Sequence, residues 1–480
     1  MAQPDLAPLF APKTVAVVGA SASSVTLANE FIRQSRALGF AGKIIPVHPT
    51  AQAIEGLECC RSFSEIDGIV DYAYIAIAAE RVPELLAEAK GKLRFAQVIS
   101  SGFGEVESGK ALEARLLSVA RESGIRVLGP NCLGIYSPRA GLNFVGQARG
   151  ERGSVGIVSQ SGGLAVDMIL RGQERGLRYS GLVTIGNSVD LGPAEFLNFY
   201  LADSATKVVG FYLEDVRDGR RFFEELRNGR AQKPVVLLIG GQTPQGQRAA
   251  ASHTGSLATT LDVWKAVARQ TGCVITSTLD EFLNALLAFQ ALNSGSQIPP
   301  KRVVLFGNGG GTSVLAADAF ARAGLDVSPM SAQAQDALHA LNLPPGTSIT
   351  NPIDTPAATM RQENGKVAER ILEAVFALAM PDTVVMHINL PVFISASDRS
   401  HDVVGNLVDA ALRVRDRYPQ RVHFVMVLRS DGSLACEARK RDYRDSIVKQ
   451  GIPVFDEMTE AAAALAAVAI VARFRAKRGV

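Results

Sequence analysis

The sequence predicts an α/β protein made of doubly wound parallel sheets in three successive segments. Apolar runs alternate with helix-compatible stretches along the whole chain, the rhythm of parallel strands joined by crossover helices. Each segment also has a strand running into a turn of small residues: Gly19-Ala20-Ser21, Gln160-Ser161-Gly162-Gly163, and Gly307-Asn308-Gly309-Gly310-Gly311-Thr312-Ser313. At 480 residues the chain is too long for one hydrophobic core, and roughly two to four domains are expected. The boundaries are placed at 1–150, 151–295 and 300–480, the last after the linker-like run Asn293 to Pro300.

Charges nearly balance at +3, which speaks against nucleic acid or an acidic membrane as partner. Five cysteines form no zinc spacing. Adjacent Cys59 and Cys60 read as reduced neighbours. No basic-then-apolar leader opens the chain. The longest apolar stretch, residues 461–472, is alanine-rich and too short to span a bilayer. A cytoplasmic location is expected.

In the first segment, strands are expected from 14 into the glycine turn at 19–21, at 43–49, 72–78, 96–100 and 125–128, with helices near 27–38, 82–90 and 109–122. The glycine turn lacks the further glycines of a dinucleotide fingerprint, and the second strand ends Pro46-Val47-His48-Pro49 with no acid for a ribose. Lys43 starts that strand instead. A phosphate-rich ligand such as coenzyme A fits better, its pyrophosphate on helix N-terminal amides; a sheet with no ligand is the bland alternative. The loop Gly129-Pro130-Asn131-Cys132-Leu133-Gly134 follows the fifth strand and is expected to line the crevice. No base lies near Cys132 in sequence, so lining suits it better than nucleophilic chemistry.

The second segment opens on Ser154-Val155-Gly156-Ile157-Val158-Ser159. Its turn through Gly163 would cap a helix and let an anion approach free amides, although ordinary strand–turn–helix capping explains it equally well. Val208 to Leu213 is a buried strand finishing on Glu214-Asp215. A carboxylate at a strand's carboxyl end belongs in the crevice, where it could orient an imidazole. His253 stands in Ala249-Ala250-Ala251-Ser252-His253-Thr254-Gly255-Ser256. Small neighbours leave its ring approachable in a loop, as a nucleophile carrying a phosphoryl group requires. A solvated structural histidine is the bland reading. His339, His387, His401 and His423 show no ligand spacing and are expected mostly at the surface.

Taken in order, Gly-Pro-Asn-Cys-Leu-Gly, Ser-Gln-Ser-Gly-Gly, Tyr-Leu-Glu before Asp218-Gly-Arg-Arg-Phe222, and Ala250-Ala-Ser-His-Thr-Gly255 resemble the α subunit of NDP-forming acyl-CoA synthetases. These are the ADP-forming acetate–CoA ligases related to succinyl-CoA synthetase, and the resemblance covers essentially the whole chain. It implies a Rossmann-type CoA-binding domain followed by two flavodoxin-like domains. It implies that His253 is phosphorylated and held by Glu214. The phosphate would be met by Ser159, Gln160, Ser161, Gly162 and Gly163 at one helix, and by Gly309, Gly310 and Gly311 at a second. Coenzyme A would lie over Gly19, Ala20, Ser21, Lys43, Ile77, Ala78, Asn131 and Cys132.

The chain departs from the family at Ile239-Gly240-Gly241-Gln242, where Lys-x-Gly-Arg is usual, and at Ala76-Ile77-Ala78-Ala79, where proline commonly follows valine. Asn351-Pro352-Ile353-Asp354 matches a family loop. No segment resembles the family's ATP-grasp module, so ATP or ADP and Mg are expected on a separate ATP-grasp β subunit. The implied activity converts a carboxylic acid, CoA and ATP to acyl-CoA, ADP and phosphate through an acyl phosphate and a phosphohistidine. The alternative is a non-catalytic CoA- or acyl-CoA-binding regulatory protein on the same fold.

Overall fold

The computed structural model describes residues 5–229, 231–254, 260–292, 299–395, 402–418 and 422–479, with the backbone alone at 251–254. The chain divides into two compact units: Met1–Gln173 with Leu177–Phe282, and Glu174–Gly176 with Leu283–Val480. The α/β class and parallel sheets read from the sequence are present.

Among the described residues the first unit holds two large sheets and a two-stranded antiparallel one, Ala53–Ile54 with Leu57–Glu58. Of the large sheets, one is entirely parallel, in the order Lys43–Val47, Thr14–Val18, Val70–Ile75, Leu93–Val98, Arg126–Leu128. The other runs Val274–Thr276, Val235–Ile239, Val208–Leu213, Arg152–Ser159, Tyr179–Thr184, Ile135–Tyr136. Strands covered on both faces need apolar residues at every position. Val235–Ile239 accordingly buries all five. Ile135–Tyr136, antiparallel to Tyr179–Thr184, is an edge strand no sequence pattern announced, and it reaches the second sheet from before residue 150. The two sheets share one core. Phe10, fully buried, stacks on Phe199 with centroids 4.4 Å apart and touches the space above Gly181, tying the amino-terminal turn to the second sheet.

In both sheets the strand order reverses beside the first strand of its segment. In the first sheet the reversal lies between Thr14–Val18 and Val70–Ile75. In the second it lies between Arg152–Ser159 and Val208–Leu213. Such switch points open crevices at the carboxyl ends of the strands.

The second unit has one parallel sheet, ordered Ile353–Asp354, Val303–Gly307, Thr383–Asn389, His423–Arg429, Val454–Phe455. Its switch point lies between Val303–Gly307 and Thr383–Asn389. The helix after the glycine turn runs Gly310–Arg322, so that Gly310 to Ser313 of the turn already form its first turn. His387 and His423 are buried within strands, which corrects the surface expectation for them. Only His339 is exposed, and His401 lies outside the described residues.

Candidate functional site

In the first sheet, Gly19 turns the chain directly beyond Thr14–Val18 at φ +99°, a conformation glycine tolerates and L side chains resist. An added Cβ would collide with the Ala76 carbonyl of the neighbouring strand end. Gly19→Ala is therefore expected to cost ~3 kcal/mol, read as a lowered denaturant midpoint. Ala20 is buried, and the Ser21 hydroxyl accepts the amides of Ser23 and Ser24 at 3.2 Å each. Thr26 and Asn29 form a capping box on the following helix, Leu27–Ala37.

Ile77 and Ala78 lie just past Val70–Ile75, because that strand ends earlier than its apolar run suggests. The Ser100 hydroxyl donates to the Ile77 carbonyl, and the Asn131 amide donates to the Ser100 carbonyl at 3.1 Å. Gly19, Ala20, Ser21, Ile77, Ala78 and Asn131 thus share the carboxyl end of this sheet.

Two predicted residues fall outside that group. Lys43 pairs with Thr14, at the amino end of its strand, while Val47 pairs with Val18. Four residues of strand, about 13 Å, separate it from the crevice. The carboxyl end of that strand carries His48 instead, whose Nδ1 accepts the Thr50 and Ala51 amides. The Cys132 side chain is 2% exposed, its Sγ 3.7 Å from the Val98 carbonyl and 3.6 Å from that of Leu128. Burial pushes its thiol up to about 12. Its backbone still shapes the loop, since the Cys132 carbonyl accepts Gln97 Nε2 at 2.8 Å. A thiol reagent at pH 8 is expected to leave Cys132 unmodified in the folded chain and to label it on unfolding, as mass spectrometry of its peptide would report.

In the second sheet the turn Ser159 to Gly163 leads into helix Gly162–Glu174 at the switch point. Ser159 Oγ donates to the Ser161 carbonyl at 2.7 Å, and Ser161 Oγ accepts the Leu164 amide at 3.3 Å as an amino-terminal cap. Gln160 Oε1 accepts the amides of Glu214 (2.6 Å) and Asp215 (3.1 Å). The side chains of Ser159 and Gln160 therefore hold backbone rather than face an incoming anion. The helix start at Ser161, Gly162 and exposed Gly163 remains for one.

Glu214 is 7% exposed at the end of Val208–Leu213 and accepts the Tyr212 hydroxyl at 2.9 Å. Tyr212 was not singled out from the sequence, although strand alternation puts it two residues away on the same face. Beside them, a Cβ on Gly240 would sit 3.0 Å from both Glu214 Cγ and Tyr212 Oη, so the glycine keeps the carboxylate's space clear. Where the family carries cations, Gln242 Nε2 instead donates to the Ile239 and Thr276 carbonyls at 3.1 Å each.

The following helix, Pro244–Thr254, contains His253 in its last turn, where an open loop was expected. The Thr243 hydroxyl accepts the Gly246 amide at 3.1 Å, and the three alanines are strong helix formers. The His253 side chain lies outside the described residues.

The two crevices of the first unit adjoin. A Cβ on Gly162 would lie 2.8 Å from Leu133 Cγ, so the Gly129–Gly134 loop rests against the start of the second sheet's helix. The Asn187 and Val189 amides donate to the Pro130 (3.0 Å) and Gly129 (3.1 Å) carbonyls, and the Gly134 amide donates to Thr184 Oγ1 at 2.7 Å.

Within the second unit, Gly309 takes φ +111° and its amide donates to Asp354 Oδ1 at 2.7 Å. Gly310 and Gly311 are exposed at the helix start, and Arg429 Nη1 donates to Thr312 Oγ1 at 2.7 Å. His387 lies at the fifth position of its strand, and burial first, then the Arg429 charge, lowers its ring to about 4. It is a neutral imidazole at pH 7.

Residues 13–138 match the CoA binding domain family, and residues 152–289 match the succinyl-CoA ligase like flavodoxin domain family. The chain is 31% identical over 459 residues to the α subunit of ADP-forming acetate–CoA ligase II of Pyrococcus furiosus, covering 95% of each. It is 37% identical over 360 residues to ADP-forming acetate–CoA ligase II of Archaeoglobus fulgidus, covering 73% of this chain and 52% of that one. The chain thus spans about half the length of the second relative and nearly all of the first. Its fold superposes on the dinucleotide forming acetyl-coenzyme A synthetase 1 of Ca. Korarchaeum cryptofilum, solved with phosphate and ADP. That match has a TM-score of 0.84 at 27% identity and covers 98% of both chains.

Proposed function

The chain belongs to the family of ADP-forming acetate–CoA ligase α subunits, and from that premise we propose that it is the α-type chain of an acyl-CoA synthetase. The reaction is acid, CoA and ATP to acyl-CoA, ADP and phosphate. His253 takes a phosphoryl group from the nucleotide and passes it to the substrate carboxylate, giving an acyl phosphate. The CoA thiolate attacks that carbonyl carbon, and phosphate leaves.

In this reading Glu214 orients the His253 imidazole, and the free amides at Ser161, Gly162 and Gly163 receive the phosphate on one side. Within the second unit, Gly309, Gly310 and Gly311 would offer a helix start of the same kind. Gly19, Ala20, Ser21, Ile77, Ala78 and Asn131 would line the coenzyme A crevice, with Lys43 and the Cys132 thiol outside it. Leu133 against Gly162 supports this assignment most directly, because it sets the crevice of the CoA-type sheet beside an anion-accepting helix start in one unit. An acyl phosphate and a thiol must meet at such a junction.

ATP, ADP and Mg would be held by a separate ATP-grasp β subunit, in a hetero-oligomer. That relatives of similar length are named as α subunits supports a separate partner. A cytoplasmic setting belongs to the same proposal; all five cysteines are free, and no described helix is long and apolar enough to cross a membrane. The non-catalytic CoA-binding alternative is the weaker reading, because the relatives are ligases and Glu214 is held by Tyr212 and Gln160 in the crevice. Mixing the chain with an ATP-grasp β subunit, ATP, Mg, CoA and a panel of carboxylic acids tests the proposal. Acyl-CoA formation that needs both chains supports it. Coenzyme A binding with no acyl-CoA from any acid would favour the regulatory alternative.

A further inference from the structure

A single carboxylate joins three of the loops that would build this site. Glu113, on helix Lys110–Ser123 of the first sheet, is 9% exposed. Its Oε2 accepts the Gly104 amide at 3.0 Å and Asn187 Nδ2 at 3.0 Å; its Oε1 accepts Arg217 Nη2 at 2.8 Å. Gly104 belongs to the loop after Leu93–Val98, the one whose Ser100 contacts Ile77 and Asn131. Asn187 belongs to the loop after Tyr179–Thr184, and also donates to Glu105 Oε2 at 2.6 Å. Arg217 stands three residues beyond Glu214 on the loop after Val208–Leu213.

Glu105 reinforces the same seam. Burial pushes its carboxyl up, but the Asn187 hydrogen bond and the Gly102 and Phe103 amides outweigh this and hold it below the ordinary range. Two carboxylates converging on one amide are tolerable only because each has cationic or N–H donors to itself. Neither role was legible as chemistry, and neither residue is among those proposed to bind coenzyme A or phosphate.

We propose that Glu113 is a positioning residue for the phosphohistidine-forming half of the reaction: through Arg217 it fixes the Glu214 loop against the coenzyme A crevice. This rests on the phosphohistidine reading above. Glu113 touches no reacting group; its effect passes through the loop that carries Glu214. Displacement of a catalytic group by about 1 Å is enough to slow a reaction some 10²-fold without weakening substrate binding.

The substitution Glu113→Gln separates the contacts. The amide oxygen can still accept from Gly104 and Asn187, but its NH₂ then faces the Arg217 guanidinium, donor against donor. The experiment follows acid-labile phosphate appearing on the full chain from acyl-CoA and inorganic phosphate, with coenzyme A affinity measured separately by calorimetry. The rate at saturating acyl-CoA is expected to fall about 10- to 100-fold in Glu113→Gln and in Arg217→Ala. The half-saturating acyl-CoA concentration and the affinity for coenzyme A should stay within about twofold. The double variant should be no slower than either single one, since both cut one tie, and Arg217→Lys should recover part of the rate. Wild-type rate in Glu113→Gln, multiplicative losses in the double variant, or a loss confined to coenzyme A affinity would each overturn the inference. No phosphate on the wild-type chain would overturn the phosphohistidine reading, and this inference with it.

Discussion

Replacing His253 by alanine is expected to stop acyl-CoA formation in the chain reconstituted with the proposed ATP-grasp β subunit, by about 10³-fold or more. The magnitude follows from the relay. A phosphoryl group that must travel from a nucleotide site to an acyl site on a covalent carrier has no route when the carrier is removed. The substitution is mild for the backbone, because position 253 lies in the last turn of helix Pro244–Thr254 and alanine favours helix. Coenzyme A affinity should be unchanged, since the proposed CoA residues belong to the first sheet. Activity within about tenfold of wild type would mean direct transfer from nucleotide to acid.

Glu214→Gln is the second large loss, expected at about 10²- to 10⁴-fold in turnover with little change in the half-saturating concentration of coenzyme A. Glutamine keeps the shape and can still accept the Tyr212 hydroxyl, so the site should persist. The amides of Glu214 and Asp215 remain held by Gln160 Oε1. What disappears is the negative charge proposed to steady the His253 imidazole as it gains and loses a phosphoryl group. Steady-state kinetics of the reconstituted complex checks this. An equal fall in coenzyme A affinity would point to a collapsed crevice instead, and a thermal melt would show it.

Much of the architecture was readable because buried parallel strands need apolar residues throughout. Val235–Ile239 and Val303–Gly307 announce themselves in this way. The glycine turns were readable for a related reason, since Gly19 and Gly309 occupy backbone conformations that side chains resist. Position along a strand was less legible. A lysine reads the same at either end, and only the pairing of Thr14 with Lys43 reveals that this one lies away from the crevice. Depth was hidden too: nothing in Asn-Cys-Leu-Gly distinguishes a thiol lining a cleft from one packed beneath it. Around His253 the small residues carried two meanings, approachability and helix propensity, and the second prevailed in the backbone. Glu113 escaped notice because its partners Asn187 and Arg217 lie 74 and 104 residues away in sequence. Such long-range ties leave no local pattern.

The most direct test of the central claim is intact and peptide mass spectrometry of the purified chain after incubation with acyl-CoA and inorganic phosphate, kept at neutral to alkaline pH. An acid-labile phosphate on the peptide carrying His253, absent from His253→Ala, is the result predicted. A wild-type chain that binds coenzyme A yet carries no phosphate with any acyl-CoA offered would contradict the relay.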